Sequence, residues 1–385
     1  MTAVYCYITS AADGSKVHID SFMKAFTSLG ESLIDAGIVT PEFTGNKSEW
    51  TPARRVWAHL LWLKLNVTMF FHVLRKAWRS RSDVLIFRFM PNHQLFFPIF
   101  VLSSMYPVLL EINAVRALDS PAQSSWVIAL LDRLTLLKVK KCFVVSNDMR
   151  DYLIARFRLE PDRVAVVENG VDTDLFTPTR PCRQLRKSLG LDGRFVIGFL
   201  GSFKPWHGIH TLSEVAERLG AHCPNVAFLI VGDGKERSNF EATLKKKGLT
   251  DLFFFTGFVQ HVRIRDYLAL MDVVLAPYPK EWYEKTGGFF FSPLKIFEYM
   301  AMAKALIAPP LGQISELIID GESGRLIYSE DVTAIVQEIA RMHADKDYRC
   351  TLGANARRRA ESRYTWKANA EKVRALCARL LKTSA

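Results

Sequence analysis

Two charged side chains stand three residues apart in a segment that could bind a phosphorylated ligand. Lys295 and Glu298 lie in a helix-forming run, residues 294–303, that follows a Ser-Pro turn ending at Pro293. A helix start offers free backbone N–H groups and a positive dipole, which favour phosphate. Lys295 would be unfavourable in that first turn unless an anion were bound. Glu298, on the same face, could accept hydrogen bonds from the two hydroxyls of a ribose. A solvated helix with ordinary surface charges fits the segment equally well.

The elements that must position this segment alternate between apolar strands and helices. A strand over residues 4–9, a small-residue loop and a helix over 18–29 resemble the opening of a Rossmann-like half, without the full glycine-rich pattern. The alternation resumes with a strand at 195–200 and the loop 201–208, and residues 319–327 suggest a hairpin-like excursion. Because 385 residues exceed one ordinary core, we predict an α/β protein with two Rossmann-like halves.

Polar side chains also follow a strand of the first half. Residues 95–105 predict a buried crossover helix, and residues 107–113 predict a strand that carries Glu111 and ends at Asn113. Ligands of open α/β sheets bind at the carboxyl ends of strands, so both side chains are candidates to face a ligand. The alternative for Glu111 is a strand carboxylate satisfied by a neighbouring arginine. We interpret His18 as a helix-surface or capping histidine.

Metal binding is weakly indicated. Asp172 and Asp174 form an Asp-x-Asp after the Asn169-Gly170 turn signal, and a turn stabilised by the aspartate side chains is favoured over a divalent metal site. The 6 cysteines show neither metal-ligand nor redox spacing, which is typical of a reducing compartment. The start of the chain lacks the pattern of a secretory signal, and we expect a cytoplasmic protein.

The formal net charge of +12 is concentrated in one segment. Residues 51–82 contain no Asp or Glu, whereas Arg, Lys, Trp, Leu and Phe are frequent. Charges interrupt the apolar run, so it does not span a bilayer, but one or two basic, aromatic helices lying on an anionic membrane surface fit it. The alternative is a helix packed on its domain with a solvated basic face. No nucleic-acid module accompanies the charge, and we expect no nucleic-acid partner.

Several segments together resemble the group 1 family of retaining glycosyltransferases with the GT-B architecture. They are ENGVDTDLF at 168–176, GFLGSFKPWHG at 198–208, IVGDG at 230–234, FTGF at 255–258 and SPLKIFEYMA at 292–301. The resemblance covers nearly the whole chain. It implies two Rossmann-like domains facing a central cleft: residues 1–178 on the acceptor side and residues 179–363 for a nucleotide sugar. It also implies that a terminal helix, residues 364–385, returns to the first domain.

The resemblance assigns the ribose to Glu298, which matches the second glutamate of the family's Glu-x7-Glu motif. The first glutamate of that motif falls at Phe290, so the usual carboxylate near the donor sugar is missing, as in many relatives with the Ser-Pro-Leu-Lys form. The backbone is then expected to read the sugar hydroxyls. The residues concerned are Phe291, Ser292, Pro293 and Leu294.

The family's phosphate-binding Arg and Lys are also replaced. Ser202 and His207 stand at those positions, and we infer that Lys204 and Lys295 offset the diphosphate charge with help from the backbone at Gly201. Positive groups held in place stabilise the charge that develops on a leaving nucleoside diphosphate. No separate metal or other cofactor is then required.

The acceptor side departs from the family as well. Many relatives carry a histidine near the donor sugar, where this chain has Asn113, with Glu111 close by. Asparagine can hold a sugar hydroxyl but cannot act as a base. Gly14 and Ser15 match the first-domain loop that approaches the diphosphate. The candidate catalytic residues are Glu111, Asn113, Lys204 and Lys295.

The resemblance implies a retaining hexosyltransferase that uses a nucleotide diphosphate sugar. With the basic segment 51–82, we expect a lipid-linked or glycolipid acceptor in cell-surface polysaccharide or glycolipid synthesis. The enzyme would lie peripherally on the inner face of the cytoplasmic membrane. A transferase acting on a soluble acceptor and a catalytically silent GT-B partner subunit remain alternatives.

Overall fold

The computed structural model describes residues 1–10, 15–40, 51–89, 95–113, 126–178, 182–220, 223, 225–285 and 287–383. Contacts divide the chain into two units. The first comprises Met1–Asn169, Phe290–Ser292 and Trp366–Ala385, and the second comprises Gly170–Phe289 and Pro293–Thr365.

The first unit is built on a parallel sheet with the strand order β3-β1-β5-β6-β7-β8, beside a two-stranded pair of β2 and β4. Its strands are β1 (Thr2–Cys6), β2 (Ile8–Ser10), β3 (Ser32–Asp35), β4 (Ile38–Thr40), β5 (Val84–Phe89), β6 (Val108–Ile112), β7 (Lys141–Val144) and β8 (Val164–Val166). Its first helices are α1 (Ser15–Ser28), α2 (Pro52–Ser80), α3 (Phe96–Leu102), α4 (Trp126–Lys138) and α5 (Asn147–Phe157). These strands read as continuous apolar runs because a parallel sheet is covered on both faces.

Alternation along β1 shows which helices cover which face of this sheet. Val4 and Cys6 join a buried cluster with residues of α2, α3, α4 and α5. Tyr5 points the other way, and its ring centroid lies 5.1 Å from that of Phe22 on α1. The long segment left open as one or two helices is the single helix α2. Across the described part of the chain, no helix is long and apolar enough to cross a membrane.

The second unit repeats the architecture with the parallel order β11-β10-β9-β12-β13-β14. Its strands are β9 (Phe195–Leu200), β10 (Val226–Val231), β11 (Phe253–Phe255), β12 (Val273–Leu275), β13 (Ala305–Ala308) and β14 (Arg325–Leu326). Its helices are α6 (Arg183–Ser188), α7 (Thr211–Leu219), α8 (Arg237–Lys247), α9 (His261–Leu268), α10 (Lys280–Lys285), α11 (Leu294–Ala301), α12 (Ile314–Leu317), α13 (Val332–Ala344) and α14 (Lys346–Arg363). The prediction of two Rossmann-like α/β halves is confirmed.

The predicted hairpin over residues 319–327 is wrong. β14 pairs in parallel with β13 and extends the main sheet. The turn before it is tight, since Gly321 N donates to the carbonyl of Gly324 at 2.9 Å. Gly324 has a φ of +155°, which redirects the chain into the parallel strand.

The terminal helix α15 (Trp366–Lys382) belongs to the first unit, where it packs against α1. The ring of Trp366 meets that of His18 edge to face, with 5.0 Å between centroids. The return of the terminal helix to the first half is therefore confirmed. Tyr364 and Thr365, just before it, remain with the second unit.

Candidate functional site

The loop after β9 brings two predicted residues of the second unit together. The chain leaves the strand at Gly201 with a φ of +149°, and a Cβ there would lie 2.7 Å from Nζ of Lys295. A Cβ on Gly232, after β10, would lie 2.1 Å from the carbonyl oxygen of Gly201. Leu200 N also donates to the Tyr299 hydroxyl at 2.8 Å, which holds α11 against the strand end. Glycines thus allow two strand ends and α11 to approach closely.

Lys295 is a buried amine without a hydrogen-bond partner among the described residues. Its side chain is 9 % exposed, and Nζ lies 4.7 Å from the ring centroid of Phe199 and 5.1 Å from that of Tyr278. Burial lowers the pKa of Lys295 to about 7, and the charge of Glu298 only partly opposes this. A solvated surface helix is therefore the wrong alternative. An anion at this position would supply the partner that a buried ammonium requires.

Glu298 is buried and paired with a histidine that the sequence analysis missed. Nε2 of His261, the first residue of α9, lies 2.7 Å from Oε1 of Glu298. The His261 ring packs against Phe176 at 5.3 Å. Burial lowers the pKa of His261, but the hydrogen bond and charge of Glu298 raise it more, so the net shift is upward. The available signal was its place after β11, near the carboxyl ends of the parallel strands.

His207 lies beside this pair of loops as a neutral side chain. Its Nδ1–H donates to the carbonyl of Ser202, and Ser202 Oγ is 3.5 Å from the same nitrogen. Burial lowers the pKa of His207 to about 2, and the charges of Lys295 and Lys204 add to the effect. With Nδ1 protonated, Nε2 is left as an acceptor. His207 can therefore bind a hydroxyl but does not supply the positive charge of the family's lysine.

Lys204 differs from Lys295 in being exposed. Its ammonium lies 5.1 Å from the ring centroid of Trp206, which packs against Trp282 at 5.6 Å. The two candidate cations of the diphosphate site thus have different environments: one is fixed in the interior of the unit and one is held on an aromatic surface.

The short stretch Phe290–Ser292, which belongs to the first unit, explains the missing glutamate. Phe290 is buried in the first unit, with its ring centroid 4.9 Å from that of Tyr152. A carboxylate at this position would be buried against apolar groups, so Phe290 fills a core position. Phe291 follows it in the same short stretch, and Ser292 has a buried hydroxyl that no other described group satisfies. Pro293 is the N-cap of α11, and Leu294 is its first residue.

Glu111 is the centre of a buried network in the first unit. Tyr5 Oη donates to its Oε2 at 2.6 Å, His18 Nε2 lies 2.7 Å from Oε1, and Arg88 Nη1 lies 3.2 Å from Oε1. Burial by itself would raise the pKa of Glu111, but the charges and hydrogen bonds of His18 and Arg88, with the hydroxyl of Tyr5, bring it to about 2. The open alternative, a strand carboxylate satisfied by an arginine, is the arrangement observed. Glu111 is thereby suited to position its neighbours.

Asn113 and His18 lie next to Glu111 at the carboxyl end of β6. Asn113 Nδ2 donates to Glu111 and lies 3.3 Å from His18 Nε2, whereas Asn113 Oδ1 is a buried acceptor with no partner among the described groups. A sugar hydroxyl would satisfy that oxygen. The interpretation of His18 as a surface histidine is wrong, since it is buried and its pKa is lowered by burial and by Arg88. Gly14 lies outside the described residues, and Ser15 begins α1.

The Asp-x-Asp forms a turn. Asp172 Oδ1 accepts from the backbone N–H groups of Asp174 at 3.1 Å and Leu175 at 3.0 Å. This confirms the interpretation as an aspartate-stabilised turn. Within the described ranges, no group of His, Cys, Asp and Glu side chains is arranged to hold a metal ion.

Two family models match successive parts of the chain. The model described as "Glycosyltransferase Family 4" matches residues 12–175, and the model described as "Glycosyl transferases group 1" matches residues 194–345. Together they cover all strands of the second unit and all but β1 and β2 of the first.

Curated relatives and solved structures agree with these matches. The chain is 25% identical over 63% of its length to "Alpha-D-kanosaminyltransferase" from Streptomyces kanamyceticus, and 27% identical over 56% of its length to "Lipopolysaccharide core biosynthesis mannosyltransferase LpsB" from Rhizobium meliloti. Each alignment spans 61% of the relative, less than two thirds of its length. The solved structure of Anabaena Alr3699/HepE in complex with UDP and glucose matches with a TM-score of 0.73 and 18% identity, covering 98% of this chain and 100% of that one.

Proposed function

Because the chain belongs to the group 1 glycosyltransferases and has their GT-B fold, we propose that it transfers a hexosyl group from a nucleotide diphosphate sugar to a hydroxyl. The acceptor in this proposal is lipid-linked or a glycolipid, and the product belongs to cell-surface polysaccharide or glycolipid synthesis. The anomeric configuration of the donor sugar is retained.

The observation that carries the proposal is the buried amine of Lys295 beside Gly201, which has no hydrogen-bond partner among the residues that the structure describes. A diphosphate bound there would accept from Nζ and return the lysine to its charged form. Glu298, oriented by His261, would accept hydrogen bonds from the ribose hydroxyls. Lys204, Ser202 and the acceptor nitrogen of His207 are further donor contacts in this proposal, together with the backbone at 291–294.

Catalysis in this proposal depends on positioning and on electrostatic stabilisation. As the bond from the sugar to the diphosphate breaks, negative charge grows on the leaving oxygen, and Lys295 and Lys204 stabilise it. The sugar becomes oxocarbenium-like and is attacked from the same face by the acceptor hydroxyl, which gives its proton to the leaving diphosphate oxygen. In the first unit, Asn113 Oδ1 holds a hydroxyl of the sugar or acceptor. Glu111 keeps Asn113 and His18 in place.

The lipid acceptor is supported by charge and by one relative. Helix α2 carries no Asp or Glu, and one relative bears a name that assigns it to lipopolysaccharide core synthesis. We infer that α2 contacts an anionic membrane surface. Reversing its terminal basic charges should abolish sedimentation with anionic vesicles, whereas reversing as many exposed lysines of the second unit should not. The test substitutions are Arg75→Glu, Lys76→Glu, Arg79→Glu and Arg81→Glu; the controls are Lys235→Glu, Lys245→Glu, Lys246→Glu and Lys346→Glu.

A soluble acceptor is the second candidate, because relatives include an enzyme named "2-deoxystreptamine glucosyltransferase". Vesicle binding by the charge-reversed α2 variant that equals that of the wild type would favour the soluble acceptor. A silent partner subunit is the third, since the chain lacks the motif's first glutamate at Phe290.

A thermal-shift screen tests the proposal directly. UDP, GDP and the UDP-, GDP- and dTDP-sugars should each be compared with and without magnesium. A ligand that binds only the folded state raises the melting temperature, so one nucleotide class should give a shift. Glu298→Ala should lose that shift. A folded protein that responds to none of these donors would overturn the transferase proposal in favour of the silent subunit.

A further inference from the structure

Helix α2 carries a second apolar stripe on the side away from the sheet. Its inner side packs into the core through Met69, Val73 and Ala77. Its outer stripe recurs at helical spacing and is between 40% and 77% exposed. The residues of that stripe are Leu60, Leu63, Val67, Phe71 and Trp78. A helix that only packs on its own domain needs one apolar stripe, and no described part of the chain covers the second one.

The neighbouring helices continue this surface. α3 was predicted to be a buried crossover helix, but Phe97 and Phe100 are 42% and 37% exposed, so that prediction holds only for its inner side. α4 exposes Leu130, Leu134 and Leu137 at helical spacing. α3 packs against both α2 and α4, which makes the stripes adjacent.

Ring contacts show that the surface is continuous. The ring of Phe97 lies 5.3 Å from that of Phe70 on α2. The ammonium of Lys138, at the end of α4, lies 5.5 Å from the ring centroid of Phe100. Soluble monomers rarely expose contiguous apolar patches larger than a few hundred Å². Most of the large exposed apolar side chains of the described chain fall on these three helices or directly after them.

Charges around the stripes have one sign. Lys64, Arg75, Arg79, Arg133 and Lys138 are exposed on α2 and α4. The sequences of α2 and α3 contain no acidic residue, and the single one in α4, Asp132, is buried. Apolar and aromatic side chains framed by cations, without exposed carboxylates, match an anionic bilayer, where acyl chains accept the apolar groups and phosphates the cations.

We propose that the outer stripes of α2, α3 and α4 form one membrane-inserting surface, which seats the enzyme in the interface of an anionic bilayer. This deepens the membrane contact of the proposed function and rests on it. It adds α4 and also α3, which was predicted to be a buried crossover helix. Binding then has two parts: cations attract the protein, and the stripes enter the acyl boundary. A second copy of the chain fits less well, because two such faces would bring like charges together.

A triple substitution in α3 and α4 separates insertion from attraction, because it leaves every charge in place. Phe97→Ser, Phe100→Ser and Leu134→Ser should be compared with a matched triple of exposed apolar residues in the second unit, Phe258→Ser, Val262→Ser and Ile319→Ser. Both proteins are sedimented with phosphatidylglycerol–phosphatidylcholine vesicles at about 0.1 M and about 0.5 M salt, which screens surface charge. We expect the wild type and the control to retain part of their binding at high salt. The α3–α4 variant should lose roughly tenfold in partition coefficient and all high-salt binding.

Two further measurements fix the interpretation. The nucleotide-induced thermal shift should be the same in all three proteins, since Lys295 and Glu298 lie in the second unit. If nucleotide raises the melting temperature but the α3–α4 variant binds vesicles like the wild type, the membrane-inserting surface is refuted and the transferase proposal stands. If the α3–α4 variant loses vesicle binding as expected but nucleotide shifts none of the three proteins, the transferase proposal is refuted and the membrane-inserting surface stands. Light scattering after size exclusion measures the oligomeric state of the wild type and the α3–α4 variant. A wild-type dimer that the α3–α4 substitutions dissociate would replace the bilayer with a second copy of the chain.

Discussion

Nε2 of His261 lies 2.7 Å from Oε1 of Glu298, so the carboxylate proposed to bind ribose is fixed by a side chain from another helix. His261 comes from α9 and Glu298 from the middle of α11. A hydrogen bond to a charged group is among the stronger ones in proteins. His261 is therefore a positioning residue for the nucleotide, without contact to the reacting atoms being required.

Replacing His261 should weaken donor binding more than it slows the chemical step. We expect His261→Ala to raise the donor KM about tenfold, the equivalent of about 1.4 kcal/mol, with kcat changed by less than about threefold. His261→Gln, which can still donate, should recover part of the affinity. Steady-state kinetics on both variants provide the test. Equal losses in kcat and kcat/KM would instead show that His261 stabilises the transition state and not donor binding.

The same pair should make stability depend on pH in a defined direction. The pKa of His261 is raised above its ordinary value of about 6.5, so folding favours the protonated form. Its stabilising contribution is fully present below about pH 6.5 and disappears as the pH rises through the higher folded-state pKa. Urea unfolding of the wild type and of His261→Gln should thus differ most in mild acid and least in alkali. A difference that grows with pH would contradict the assignment.

Lys295 should lower the stability of the ligand-free protein, because it is buried for ligand binding and not for folding. Its pKa of about 7 lies below the ordinary lysine value of about 10.4, so the unfolded chain holds a proton that the folded protein releases, and stability rises with pH between these values. We expect Lys295→Met to raise the free energy of unfolding of the ligand-free protein by about 2–4 kcal/mol near pH 6 while abolishing nucleotide binding.

Lys304 is the matched control for this prediction. Its pKa is also lowered by burial, to about 8, but Nζ donates to the carbonyl of Met271 at 2.7 Å. Lys304→Met should destabilise the protein and leave the nucleotide-induced thermal shift intact. Proton uptake on nucleotide binding near pH 8, measured by calorimetry in buffers of different ionisation enthalpy, is expected for the wild type and not for Lys295→Met. A destabilised Lys295→Met that still binds nucleotide would refute the assignment.

The fold was accessible from sequence because each half is a parallel sheet. Strands buried on both faces read as apolar runs, and the strand at Phe195–Leu200 has the predicted bounds. The long-range contacts were not accessible in this way. Arg88 contacts Glu111 because the two residues are register partners on β5 and β6. The sequence of either strand alone does not determine that register.

The candidate site shows the same division. Local pattern predicted that α11 would begin after a Ser-Pro turn and carry Lys295 and Glu298 on one side. It did not reveal that both are buried, that Phe199 and Tyr278 surround the lysine, or that His261 holds the glutamate. These contacts join elements far apart in the chain, and a histidine on an amphipathic helix gives no sign of its partner.

Removing the charge of Glu111 should destabilise the first unit, most clearly at neutral pH. The pKa of Glu111 is lowered to about 2 from an ordinary value of about 4.3, so its contribution is present above about pH 4.3 and is lost as the pH falls through about 2. Glu111→Gln leaves the half-buried Arg88 without its counter-charge and should cost about 3 kcal/mol at pH 7. Tyr5→Phe, which removes one hydrogen bond to the same carboxylate, should cost about 1 kcal/mol. Denaturant titrations at pH 7 and pH 3 test both values, and equal costs at the two pH values would exclude the charge as the cause.

Restoring the motif's first glutamate should fail to restore a family-like site. In this chain Phe290 is buried against Tyr152 in the first unit. Phe290→Glu would place a carboxylate among apolar groups, and we expect it to lower the free energy of unfolding by about 3 kcal/mol and to reduce transfer activity. Phe290→Leu keeps the site apolar and should cost less than about 1.5 kcal/mol with near-normal activity. Thermal unfolding and a donor-dependent transfer assay compare the two variants. A stable Phe290→Glu protein with raised activity would show that the position faces the donor sugar and that its phenylalanine has no structural role.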